Sequence, residues 1–127
     1  LVFGPGLYRT GTVELRSGVT LYLHDGAVLQ AVDPAGFPVE PEERINQALP
    51  PSLKPGARRR LIWAEGAERF AIIGRGVICG NGSEWRRRHV APRLSTNLVR
   101  FVDCRDVRVE GVILRDSEFW CVHLLHC

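Results

Sequence analysis

Trp120 and His123 stand three residues apart near the end of the sequence, and together they offer binding chemistry rather than bond cleavage. A flat indole face suits a sugar ring, and an imidazole can hydrogen-bond hydroxyls or a carboxylate. The other reading places Trp120 in a packed interior and His123 on an exposed strand. Two arginine triplets, Arg58-Arg59-Arg60 and Arg86-Arg87-Arg88, could meet planar carboxylates through bidentate guanidinium contacts, or form solvated loop surface. Asp103 and Asp106 lie where a corner between strands is expected, and there they satisfy backbone N–H groups rather than catalyse. Asn81-Gly82-Ser83 fits an N-glycosylation acceptor pattern, but Asn-Gly is first a turn signal.

The four cysteines, Cys79, Cys104, Cys121 and Cys127, show neither a paired metal spacing nor the density of a disulfide scaffold. Cys79 and Cys121 read as small buried hydrophobes, and Cys104 and Cys127 as two stacked free thiols. No metal site and no cofactor are expected.

At 127 residues and 45% apolar content, the chain has the size and composition of one folded domain with a real core. Its apolar runs are far shorter than the roughly 20 residues of a membrane span. The formal charge of +3 comes from sixteen arginines and one lysine, and a basic surface attracts anionic polymers of either kind, nucleic acid or acidic polysaccharide. The start, Leu1-Val2-Phe3-Gly4-Pro5-Gly6, lacks Met and any leader pattern. It reads as a piece truncated at both ends.

The elements that must position these residues emerge from an internal repeat. Leu61-Ile62-Trp63, a corner, Phe70-Ala71-Ile72 and Gly76-Val77-Ile78 align with Leu98-Val99-Arg100, a corner, Val107-Arg108-Val109 and Gly111-Val112-Ile113. A third copy opens at Cys121-Val122-His123-Leu124 and sets Cys127 over Cys104. Short strands repeating about every 23 residues with Gly-rich or Asx-rich corners predict an all-β solenoid, a parallel β-helix of about four to five turns. Ile62, Val99 and Val122 should share one stack, and Phe70 and Val107 another. Thr12–Leu15, Val19–Leu23 and Ala27–Leu29 read as the first turn.

Residues 33–60 carry six prolines and read as a loop excursion, with a short helical turn at Glu42–Leu49. Residues 83–97 read as a second excursion, helical over Ser83–Arg88 with Ser83 as the cap. Long loops on one face of a solenoid form the walls of a binding groove.

The ordered segments Gly6–Thr12, Ser17–Leu23 with Gly26–Leu29, Leu61–Ala64, Ile72–Ile78, Gly80-Asn81-Gly82 with Trp85, Val107–Gly111 and Asp116–Trp120 resemble glycoside hydrolase family 28, the polygalacturonases. The resemblance implies a right-handed single-stranded β-helix that cleaves α-linked galacturonan by inversion. Its partner would be an acidic polysaccharide, with neither nucleic acid nor a membrane involved, and secreted or periplasmic placement would follow. The family's Asn-Thr-Asp, Asp-Asp, Gly-His-Gly and Arg-Ile-Lys elements are absent here. In the family they lie C-terminal to the part matched, so no catalytic residue is expected within these 127 residues and the piece alone should be inactive. Cys79 departs from the aspartate usual in relatives.

Two other functions fit such a fold. A tail-spike-like β-helix binds sugar or builds a fibre without catalysis, because fold alone does not fix function. Pectin lysis would need clustered carboxylates for Ca²⁺, and no such cluster is visible.

Overall fold

In the computed structural model, which describes residues 1–39, 59–89 and 96–127, the repeat becomes four stacked coils of a parallel β-helix. The first coil holds β1 (Val2–Phe3), β2 (Gly6–Thr10) and β3 (Val13–Glu14). The second holds β4 (Thr20–Leu23), β5 (Ala27–Ala31), a 3₁₀ turn (Pro34–Gly36) and β6 (Arg59–Glu65). The third holds β7 (Glu68–Gly74), β8 (Val77–Cys79), the helix α1 (Gly82–Arg88) and β9 (Thr96–Val102). The fourth holds β10 (Arg105–Glu110), β11 (Ile113–Arg115) and β12 (Val122–Leu125).

Each strand pairs in parallel with its counterpart one coil away, giving three sheets ordered β1-β4-β7-β10, β2-β5-β8-β11 and β3-β6-β9-β12. Ile62 pairs with Val99 and Val99 with Val122, and Phe70 pairs with Val107, as the repeat requires. The expected first turn is divided differently. Val13–Glu14 closes the first coil, whereas Thr20–Leu23 and Ala27–Ala31 open the second. The chain therefore starts one partial coil earlier, with Val2–Phe3 and Gly6–Thr10 as strands that pair onto β4 and β5.

Alternation with period two sends one face of every strand inward. In β5 the residues Ala27, Leu29 and Ala31 are buried and Val28 and Gln30 half-buried. Leu21, Leu23, Ile62, Ala64, Ile72, Ile78, Val99 and Phe101 fill the same core. Phe70 meets Phe101 edge to face at 5.0 Å across it. In the third sheet β9 is covered on both faces, since all seven of its residues are buried, Arg100 among them.

Both excursions are shorter than the prolines and arginines suggest. β6 begins at Arg59 and β9 at Thr96, while residues 40–58, with the helical turn expected at Glu42–Leu49, lie outside the described residues. Arg59 and Arg60 are half-buried strand residues, and the Arg60 guanidinium sits 3.8 Å from the Trp63 ring centroid. An apolar arginine stem on an indole face lets a charged residue occupy a sheet. The helix at Ser83–Arg88 is present, but its cap is Asn81 in the left-handed region, without a side-chain cap bond.

The cysteines are free thiols, with Cys79 and Cys104 buried and Cys121 and Cys127 exposed. Burial raises the Cys104 thiol above its ordinary value, and desolvation does the same, on its own, for Cys121. A thiol-specific disulfide reagent should therefore modify the exposed Cys121 and Cys127 of the folded protein before Cys79 and Cys104, and all four of these after denaturation. Four fast-reacting thiols would show that the third coil is open around Cys79 and Cys104.

Candidate functional site

The segment from Asp116 to Cys121, between β11 and β12, carries Trp120 and is clamped to the coil before it. Asp116 sits at φ 51°, and its Oδ1 accepts hydrogen bonds from the Ser83 N–H (2.9 Å) and the Ser83 hydroxyl (2.6 Å). The Asp116 carbonyl accepts from the Gly82 N–H at 2.7 Å. Gly82 allows this approach because a Cβ there would stand 2.4 Å from the Glu118 nitrogen. Arg86 donates to the carbonyls of Ser117 (2.8 Å) and Glu118 (3.1 Å). Glu118 accepts from the Thr96 N–H at 2.9 Å, and the Ser117 hydroxyl donates to the Trp120 carbonyl at 2.9 Å. The two acids of the segment thus serve as hydrogen-bond acceptors that fix its shape.

On this support Phe119 and Trp120 stack at 4.9 Å with planes 23° apart, and Trp120 meets His123 edge to face at 4.2 Å. Phe119 is exposed, and Trp120 and His123 are half-buried. Arg100 pairs in register with His123 on one side and Trp63 on the other, so Trp63, Arg100 and His123 form one row across the third sheet. The Arg100 Nη1 contacts His123 Nδ1. Arginine can only donate, so a hydrogen bond in this pair runs from the guanidinium to the imidazole. The assembled surface is an aromatic ledge ending in an oriented imidazole over a buried guanidinium. Chemically it can stack on a flat apolar face and hydrogen-bond through the imidazole.

Trp120 and His123, singled out from the sequence, are brought together. Of the first arginine triplet, Arg58 lies outside the described residues and Arg59 and Arg60 belong to β6, and the second triplet turns to other work. Arg86 ties the segment down, while Arg87 and Arg88 contact Glu84 on their own helix, Arg88 at 2.6 Å. Asp103 accepts from His126 Nδ1 at 3.2 Å rather than from backbone N–H groups, and both Asp103 and Asp106 take positive φ at their corner. Arg100 escaped sequence reasoning, although its place 37 residues after Trp63 and 23 before His123 is the signal that would find it. Among the described residues no group of three His, Cys, Asp or Glu side chains stands together as a metal site.

No protein-family model matches the chain, and no curated protein does. Among solved structures it is similar to a putative glycosyl hydrolase from Parabacteroides merdae, at 26% identity and a TM-score of 0.76, over 98% of this chain and 53% of that one. It also shares its fold with a family 28 exopolygalacturonase from Yersinia enterocolitica, at 20% identity and a TM-score of 0.65, over 98% of this chain and 30% of that one. The fold is glycoside hydrolase-like, and the chain spans about half the length of the first of these relatives.

Proposed function

We propose that these residues form the N-terminal portion of a family 28-type glycoside hydrolase that cleaves α-linked galacturonan or a related acidic polysaccharide by inversion. The observation that carries the reading is the Phe119, Trp120 and His123 surface over Arg100, rigidly clamped at the edge of the fourth coil. The similarity to a glycosyl hydrolase over nearly the whole chain supports it. Inverting hydrolysis needs one carboxylic acid and one carboxylate about 6.5 to 9.5 Å apart. Residues one or two coils apart on one face of a β-helix are separated by about 4.8 or 9.6 Å. The catalytic aspartates would then stand on coils beyond residue 127, with Trp120 and His123 lining the approach.

The test is carried out on the protein as its gene encodes it. Polygalacturonate should release reducing ends whose newly formed anomer is inverted by NMR. Trp120→Ala should lower kcat/KM by roughly tenfold to a hundredfold, mostly through KM, because stacking on a sugar is shared by ground and transition states. His123→Gln, which keeps a donor, should cost less than Trp120→Ala. Binding of the polymer without product would replace hydrolysis with the sugar-binding reading, and a Trp120→Ala enzyme with unchanged kinetics would remove Trp120 from the site.

A further inference from the structure

A pair of thiols stands apart from the Trp120 surface, at the corner that leads from the third sheet to the first. The ladder between β9 and β12 runs through Val102 and Leu125, and the chain turns away from both strands in the same manner. Asp103 and His126 take φ 52° and 53°, and the Asp103 N–H donates to the Leu125 carbonyl at 2.9 Å. His126 Nδ1 lies 3.2 Å from Asp103 Oδ1, which joins the two corners side chain to side chain. One residue further on, the Cys104 thiol donates to the Val102 carbonyl at 3.2 Å and the Cys127 thiol to the Leu125 carbonyl at 3.5 Å. The two sulfurs are therefore held alike, one coil apart, and both cysteines line one cavity with Asp106, Val107 and Leu124.

Coils are spaced about 4.8 Å apart, inside the Cα separation of about 4.4 to 6.8 Å that a disulfide spans. In mid-strand, pleating keeps stacked side chains parallel and works against the torsion of an S–S bond. These two cysteines lie past the strands, since β9 ends at Val102, β10 begins at Arg105 and β12 ends at Leu125. Cys79, by contrast, has Gln30 and Arg115 as its register neighbours and no thiol to meet. Cys104 is wholly buried, whereas Cys127 is exposed. Burial raises the Cys104 thiol above its ordinary value, and the nearby Cys127 adds to the rise. Cys104 alone is thus a poor nucleophile toward anything in solution, and Cys127 is the sulfur beside it.

We propose that Cys104 and Cys127 form a modification site, closing to a disulfide by exchange with a low-molecular-weight disulfide of the glutathione class and so fastening the fourth coil to the third. The Cys127 thiolate attacks one sulfur of the small disulfide, giving a mixed disulfide and releasing one small thiolate. The Cys104 thiolate then attacks the Cys127 sulfur, the S–S bond between the two cysteines forms, and the second small thiolate leaves. The two protons lost by the cysteines end on the two released thiolates. Both cysteines are oxidised, and the small disulfide is reduced to two thiols. The reduced pair is the state in the structure. The inference rests on this corner alone and holds whatever polymer the protein binds or cleaves.

The experiment uses the protein as its gene encodes it, fully reduced. One sample is exposed to oxidised glutathione in the native state. Another is unfolded in urea and refolded in the same buffer, where both thiols are accessible from the start. Free thiols are then blocked with iodoacetamide in denaturant. Digestion and mass spectrometry should find the Cys104 and Cys127 peptides linked in at least one sample, with neither joined to Cys79, Cys121 or any other cysteine. The linked protein should unfold at a higher urea midpoint than the reduced protein, by roughly a hundredfold in the folding equilibrium, and dithiothreitol should reverse the shift. Cys127→Ser should abolish both the link and the shift, whereas Cys121→Ser should keep both. Cys104 and Cys127 alkylated in both samples, or either one linked to another cysteine, would overturn the pairing. A linked protein no more stable than the reduced one would overturn the fastening of the coils.

Discussion

In the protein as its gene encodes it, Gly74→Ala should remove most of the folded population, with the urea midpoint and Tm collapsing relative to the unmodified protein. Gly74 closes β7 at φ 127°, a backbone region that side chains rarely adopt, and a Cβ there would lie 2.0 Å from the Leu23 carbonyl oxygen. The obstructing atoms are backbone, with the Leu23 carbonyl carbon and nitrogen next at 2.8 and 3.0 Å, so no rotamer change relieves the clash. Gly111 repeats the situation one coil on, at φ 77°, where a Cβ would lie 2.2 Å from the Gly74 carbonyl oxygen. Leu23, Gly74 and Gly111 therefore form a corner at which successive coils touch backbone to backbone. Restoring clearance means separating the coils, which breaks ladder pairing on both sides of the corner. About 4 kcal/mol or more is expected for such a loss, against a total stability on the order of 5 to 15 kcal/mol. Gly18→Ala is the control. It has φ 75° but nothing within 4 Å, so it should cost only about 1 to 2 kcal/mol of backbone strain. Equal midpoints for Gly74→Ala and Gly18→Ala would show that the close approach of the coils is not what requires glycine.

The coil register was legible because it is written twice. Ile62 to Phe70 and Val99 to Val107 have the same gap, and inward-facing residues must be apolar at matching positions in every coil. The first coil carried no such signal. Val2–Phe3 is too short to show alternation, and the Gly4-Pro5-Gly6 corner that follows it resembles an ordinary loop. The strand starts at Arg59 and Thr96 were obscured for another reason. Arginine and asparagine are rare in buried sheet, yet Arg60 lies on Trp63 and Asn97 is fully buried. Trp120 and His123 could be picked out as residue types, but their support could not. The Arg100 contact needs the 23-residue register, and the clamp through Ser83, Arg86 and Asp116 joins residues about 31 to 33 apart that only stacking brings together.

Expressed as these 127 residues alone, the chain should associate into large particles by light scattering and release no reducing ends from polygalacturonate. The cause lies in the fourth coil. Val109, Val122 and Leu124 are 43%, 48% and 54% exposed, although their partners one coil earlier, Ile72, Val99 and Phe101, are wholly buried. A groove of about 240 Å³ opens between them, lined by Val99, Phe101, Val107, Val109, Val122 and Leu124. β10, β11 and β12 each stand at the edge of a sheet, presenting backbone N–H and C=O groups that can pair with another strand. An exposed edge and an apolar stack on the same surface is the combination that drives strand addition between molecules. Leu124→Lys separates this cause from general misfolding, because the sign of its effect depends on what covers the fourth coil. In the 127-residue piece a lysine on the open end should reduce scattering, as charges do on natural edge strands. In a longer chain whose next coil packs on Leu124, the same lysine would be buried and should cost several kcal/mol. A monodisperse 14.2 kDa species that melts cooperatively without any substitution would show that the open end is tolerated.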